Sequence, residues 1–181
     1  MTTSIGQNEC FVEVQRFRQP WLWALLFATT TPVVGVFVWG LYVQLVLGQA
    51  WGDRPMSDTG LILVSCAAIG GATGVVALLW FARLSVLVDS RGLHVQYVPF
   101  QWSVKQIPLN EVMSVEAKTY SPLRDYGGWG IRYGLGGKVY NASGNRGVLL
   151  TFANGKTLLV GSQRPDALAA TIHHVWAGGK S

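Results

Sequence analysis

The sequence predicts a membrane α-helical hairpin followed by an antiparallel β-barrel or sandwich of about seven strands that ends in a helix. Three observations carry that prediction. From Gln19 to Gly52, and again from Thr59 to Ala82, there is no Asp, Glu, Lys or Arg. Each run exceeds the roughly 20 apolar residues that cross a bilayer at about 1.5 Å rise per residue. Past Arg83 the apolar period changes to two, punctuated by turn residues, and Pro165 opens one last segment of helical period.

The chain divides accordingly into an N-terminal interfacial segment (1–19), a two-helix transmembrane hairpin (20–82, spans at about 21–47 and 60–82) and a β domain (83–181, helix at about 165–177). The stretch Cys10–Gln19 reads two ways. Val12, Val14 and Arg16 alternate with Glu13, Gln15 and Phe17 as on a strand, yet Cys10, Val14, Phe17 and Trp21 share a helical face. An interfacial helix is preferred, because that face runs on into the aromatic entry of the first span.

Span one opens with Pro20-Trp21-Leu22-Trp23, a proline suited to a first helical turn and aromatics suited to the head-group layer. It predicts a retained helix, since it is too long for a cleavable signal and follows Glu9 and Glu13. Pro32 kinks it, and the hydroxyls of Thr29, Thr30 and Thr31 are placed to bond carbonyls freed by the missing N–H. Span two carries Gly70, Gly71 and Gly74, a GxxxG pattern that lets two backbones approach closely. The favoured occupant of that face is span one of the same chain, and a homo-oligomer is the alternative. Arg16, Arg18, Arg83 and Arg91 flank the hairpin on one side against Arg54 alone in the link, so the positive-inside rule places both termini and the β domain in the cytoplasm.

In the second half, Leu84, Val86 and Val88 alternate up to a turn at Ser90-Arg91-Gly92, and Leu93, Val95 and Tyr97 repeat the pattern. Residues 100–107 and 112–120 follow as strands, joined by Pro108-Leu109-Asn110-Glu111. Weak strands at 129–133 and 138–141 surround Gly136-Gly137. Strands at 148–152 and 157–160 flank Asn154-Gly155, the strongest hairpin signal in the chain. Leu168, Ile172, Val175 and Trp176 then share one face of a helix that stops at Gly178-Gly179. A nearly closed sheet with a helix plugging one end is the expected result.

Charge is unevenly placed. Residues 1–82 hold three basic and four acidic side chains, net −1, whereas residues 83–181 hold eleven and five, net +6. A basic domain tied to a membrane suits anionic head groups or an acidic partner. The basic residues are scattered rather than clustered, which argues against nucleic acid. No enzyme, metal site or cofactor is expected: His173 and His174 are badly spaced for a ligand pair, and Asp89 and His94 make a triad with a serine only on paper. With one cysteine on each side of the first span, Cys10 and Cys66 imply no disulfide.

The element order over Arg83–Trp176 resembles the pleckstrin-homology-like fold. The strings Tyr126-Gly-Gly-Trp129-Gly-Ile-Arg132, Tyr140-Asn-Ala-Ser-Gly-Asn-Arg146-Gly and Gly161-Ser-Gln-Arg164-Pro165 look like those of small bacterial membrane proteins that carry such a domain after a two-helix hairpin. The resemblance implies an architecture and no activity. It does not extend to inositide recognition, because only Arg91 is basic between Val86 and Val98.

Residues 120–147 are the expected working surface, with Arg124, Arg132, Lys138 and Arg146 against the single acid Asp125, beside Tyr126, Trp129, Tyr133 and Tyr140. Arg164 completes the candidate set. Arginines beside aromatic rings suit phosphate or carboxylate capture. The plainer alternative is that the glycines here shape turns and bulges while the arginines solvate a rim. The expectation is a non-enzymatic scaffold, an accessory subunit or assembly factor that meets membrane lipids and another membrane protein or complex. The alternative is a lipid-modifying or transport role along Thr29–Pro32, opposed by the lack of ionisable residues in either span.

Overall fold

A computed structural model describes residues 11–134 and 137–178. Cys10, Gly136 and Gly179, which figure in the expectations above, lie outside the described residues. The rest form two units, one of residues 18–80 and one of residues 11–17 and 81–178.

The first unit holds two helices long and apolar enough to cross a membrane. Helix α1 (Pro20–Leu41) starts on a proline, at a position whose N–H would have no helical partner, and continues through a π-helical turn at Tyr42–Val46. Helix α2 (Asp58–Phe81) follows the link. Gln44 holds the link by donating to Met56 O (2.9 Å) and Asp58 Oδ1 (2.8 Å). Trp51 lies on α1 at Gly40, where a Cβ would sit 2.7 Å from the indole, so the contact requires glycine. Trp23 and Trp80 meet edge to face, ring centres 5.5 Å apart.

Two expectations are corrected within this unit. Thr29 Oγ1 donates to Leu25 O and Leu26 O, and Thr30 Oγ1 to Leu26 O. These are carbonyls of the preceding turn and not that of Ala28, the i−4 acceptor that Pro32 leaves without a donor. The Gly70, Gly71 and Gly74 face does not receive α1. A Cβ added at any of the three would have no described neighbour within 4 Å. The buried positions of α2 are Leu61 and Ser65, roughly 140–180° around the helix from Gly70 and Gly74 at 100° per residue.

The second unit is a β domain in two sheets. Strands β1 (Phe11–Arg16), β2 (Arg83–Asp89), β3 (Gly92–Val98) and β4 (Gln101–Ile107) form the first, in that order. The second contains β5 (Val112–Thr119), β6 (Gly130–Gly134), β7 (Gly137–Asn141), β8 (Arg146–Phe152) and β9 (Thr157–Gly161), in the order β5-β8-β9-β7-β6. Helix α3 (Pro122–Tyr126) is a single short turn, and α4 (Pro165–Gly178) is the last described element.

The interfacial helix expected before the first span is a strand instead. Phe11–Arg16 pairs antiparallel with β2 over six residues, from Phe11↔Val88 to Arg16↔Arg83. The period-two alternative prevails because Phe11, Glu13 and Gln15 all turn inward and find partners there. The helical pair is therefore an insertion between two neighbouring strands of one sheet.

Nine described strands replace the expected seven or so, and the sheets stay separate, giving a sandwich rather than a closed barrel. The second sheet is also mixed. The chain leaves it after β5, makes α3, and returns as the β6–β7 hairpin beside β9, which β7 meets in parallel. The core lies between the sheets: Leu84, Val86 and Val88 face Val148, Leu150 and Val160 as members of one buried cluster. Leu168 and Ile172 of α4 join it fully buried, with Val175 and Trp176 half-buried at its margin. Each large aliphatic contributes about 1.5–3 kcal/mol by leaving water. Because α4 touches β1, β2 and β3 as well as β5 and β8, it ties the two sheets together.

Candidate functional site

The structure distributes the sequence-predicted binding residues over three places. The first is the outer face of the second sheet, covered by the segment that follows β5. Tyr120, Val139 and Leu159 are buried there, and Tyr126 packs edge to face on Tyr120 at 5.9 Å. Burial pushes the Tyr120 hydroxyl up to about 12, although a hydrogen bond from Asn141 Nδ2 (3.0 Å) works the other way. Asp125 accepts from Ser121 N at 2.8 Å, which, with Arg124 beside it, holds its carboxyl below the usual range. Trp129 Nε1 donates to Gly144 O (3.0 Å) and Arg132 Nε to Trp129 O (3.3 Å). Tyr126 and Trp129 therefore hold this loop closed, while Arg124 and Arg132 remain on its surface.

The second place is where β1 meets the end of β9. Arg164 donates to Val12 O (3.0 Å), and its guanidinium lies 4.9 Å from the ring centre of Phe11. Arg146 pairs with Asp166 at 3.0 Å, both exposed. Arg164 thus fastens the inserted strand, and Arg146 forms a solvated pair of small energetic weight.

The third place is a cleft of ≈ 720 Å³ between the free edge of β4, the strand ends at Gly134 and Gly137, and the β8–β9 hairpin. Lys105, Lys138 and Lys156 line it against the single acid Glu111. Ile107, Phe152 and Leu158 supply apolar surface and Tyr133 stands at its rim, 76% exposed. Lys138 Nζ lies 5.2 Å from the Tyr133 ring centre and 4.7 Å from that of Tyr140. Burial disfavours its charge, but hydrogen bonds to the side chains of Tyr140 and Tyr133 and charge interaction with them outweigh that and raise the ammonium above the usual lysine range. Tyr140 itself is fully buried, its hydroxyl reaching Gln101 Oε1 at 3.3 Å. It is a core residue and offers no surface.

The sheets are stitched near one end of this gap by Tyr97 Oη to Asn141 O (3.3 Å) and by Tyr140 to Gln101. Toward Lys105 they splay. Lys105 pairs with Val95, a fully buried inward residue, so Lys105 stands on the inner pleat of β4 and is nonetheless exposed. Lys105 and Lys156 were not picked out from the sequence. The available signal was an alternation in β4 that puts a lysine where a core residue belongs.

On the outer face of the first sheet, His94 Nε2 donates to Asp89 Oδ1 at 2.9 Å. Burial pushes the Asp89 carboxyl up, yet the Arg91 N–H and His94 outweigh it and hold it below the usual carboxylate range. Ser85 lines the same shallow hollow, but among the described residues no hydroxyl bonds the imidazole, so no nucleophile is coupled to this pair. Among the described residues, no three His, Cys, Asp or Glu side chains gather as metal ligands. No protein-family model matches the chain, and no curated protein matches it.

Proposed function

We propose that this is a non-enzymatic, membrane-anchored binding protein with a pleckstrin-homology-like domain, an accessory subunit or assembly factor that docks to a membrane protein complex or an anionic lipid surface. One observation carries the reading: β1 precedes the two apolar helices, β2 follows them, and the two strands pair residue for residue. A helical pair inserted into a sheet tethers the domain at two points and puts both of its segments on one side of any bilayer the pair crosses. Arg16, Arg18 and Arg83 near the helix ends, with Arg91 one strand further along the chain, favour the cytoplasmic side of a bacterial inner membrane. The net +6 of residues 83–181 and the lysine-lined cleft favour an acidic partner. The four-stranded sheet, second sheet and terminal helix support the pleckstrin-homology-like assignment.

The test is purification in mild detergent after alkaline carbonate washing of membranes. The protein should stay in the membrane fraction and carry a stoichiometric protein partner or retained anionic lipid. Extraction by carbonate, or a clean monomer with neither, overturns the reading.

A further inference from the structure

We infer that the cleft between β4 and the β6–β7 and β8–β9 hairpins receives an extended acidic segment of a partner protein, which pairs with the free edge of β4. The inference rests on the binding-protein reading above and names its site and partner. Edge strands are templates for pairing, and sheets commonly blunt them. Here β4 pairs with β3 alone among the described residues. Its residues from Trp102 to Gln106 are exposed on both faces, with Trp102 78% exposed and Val104 56%.

Charge selects the occupant. Three lysines from three separate hairpins or strands line the cleft against one glutamate. Lys105 on the inner pleat repels an unselective strand, as inward-pointing charges on edges do. A partner that brings a carboxylate opposite it turns the guard into a selectivity element. Ile107, Phe152 and Leu158 offer apolar surface for the alternate side chains of the same segment.

The free strand edge favours a protein over a bilayer, because only a peptide backbone can continue the ladder of β4. The chain passes into and out of the helices at Arg16 and Arg83, which are paired at one end of the first sheet. The cleft opens by Ile107, which is paired with Leu93 near the other end. Along β2, Arg83 and Asp89 are six residues apart, about 20 Å at the strand rise. The Ile107 end of the cleft therefore lies about 20 Å along the first sheet from the Arg16–Arg83 pair.

The experiment is selection of a random peptide library on the full-length protein in nanodiscs of neutral lipid. Binding of enriched peptides is then measured to wild type and to a Lys105→Glu/Lys156→Glu variant, both sites being solvent-exposed. Enriched peptides should alternate acidic with apolar residues, bind the variant at least about tenfold more weakly, and lose binding when their backbone is N-methylated. No enrichment, enrichment without acidic residues, insensitivity to the charge reversal or to N-methylation, or displacement by phosphatidylglycerol vesicles overturns the inference. A partner that co-purifies equally with wild type and variant refutes the cleft and leaves the anchored-binding reading standing.

Discussion

Glu13 and Ser162 stand 149 positions apart in the chain, and Ser162 Oγ donates to Glu13 Oε2 at 2.7 Å. The other carboxylate oxygen accepts from Gln163 N at 2.8 Å, and two residues along β1 Gln15 Nε2 donates to Gly161 O at 2.6 Å. The strand that precedes the helical hairpin is thus locked onto the end of β9 by its two buried polar side chains. The domain is incomplete until residues on both sides of the hairpin have been made.

Glu13→Ala should destabilise the β domain by about 1–3 kcal/mol, the cost of orphaning buried partners of a charged acceptor. Glu13→Gln, which keeps the shape and part of the bonding, should cost less. Denaturant unfolding in micelles, followed by near-ultraviolet circular dichroism, reads the difference. Equal stability of wild type and Glu13→Ala would remove the clasp from the account.

Gly137→Ala should damage the second sheet more than its size suggests. Gly137 has φ +93°, and an added Cβ would collide with the Thr157 side chain and carbonyl. The residue begins the strand that pairs in parallel with β9 at Lys138↔Leu158. A loss of about 2 kcal/mol or more is expected from strain at a special φ together with a backbone clash. Gly155→Ala, with φ +75° but no neighbour within 4 Å, should cost about 1 kcal/mol, the conformational part alone.

The domain should lose stability at alkaline pH through Tyr120. Its folded hydroxyl is pushed up to about 12 by burial, against about 10 for an unfolded tyrosine. A raised folded value means the contribution is whole below about 10 and is lost as pH climbs from there through about 12. Tyrosinate absorbance should show late-titrating tyrosines in the native protein, and one fewer of them in Tyr120→Phe, where buried Tyr97 still titrates late. Titration of every tyrosine near 10 in the folded protein would contradict the burial.

Ile172→Ala in α4 should cost about 2–5 kcal/mol, because a fully buried side chain between two sheets leaves a cavity. His174→Ala, exposed on the same helix, should stay within about 0.5 kcal/mol of wild type. Thermal unfolding of the two variants in the same detergent separates these outcomes.

How much of this was legible in the sequence depended on how local the cause was. The alternation of Leu84, Val86 and Val88, the hairpin at Asn154-Gly155 and the apolar face of α4 each rest on residues close in the chain, and each appears where expected. The strand pattern of Phe11–Arg16 carried less weight than the helical face running on to Trp21, because its inward positions include Glu13 and Gln15, whose partners come from Gly161–Gln163. The GxxxG pattern marked a close-packing face, but spacing alone does not say which neighbour fills it, and α1 does not. Residues 120–147 read as one surface because they are contiguous. The β6–β7 hairpin carries Tyr133 and Lys138 to the cleft while Tyr126 packs half-buried on the outer face and Tyr140 enters the core. Lys105 and Lys156 were invisible as a pair, since only the splaying of the sheets brings them to one cavity.

The claim that a helical hairpin interrupts one continuous sheet is tested most directly by a cross-link between Val14 and Ser85, directly opposed on β1 and β2. Opposed strand positions lie about 4.5–5.5 Å apart, within the Cα range a disulfide spans. With Cys10 and Cys66 replaced by serine, Val14→Cys and Ser85→Cys should form a disulfide in intact membranes, and a membrane-impermeant thiol reagent should reach both reduced cysteines from the same side. Failure to cross-link, or labelling of the two cysteines from opposite sides, would contradict it.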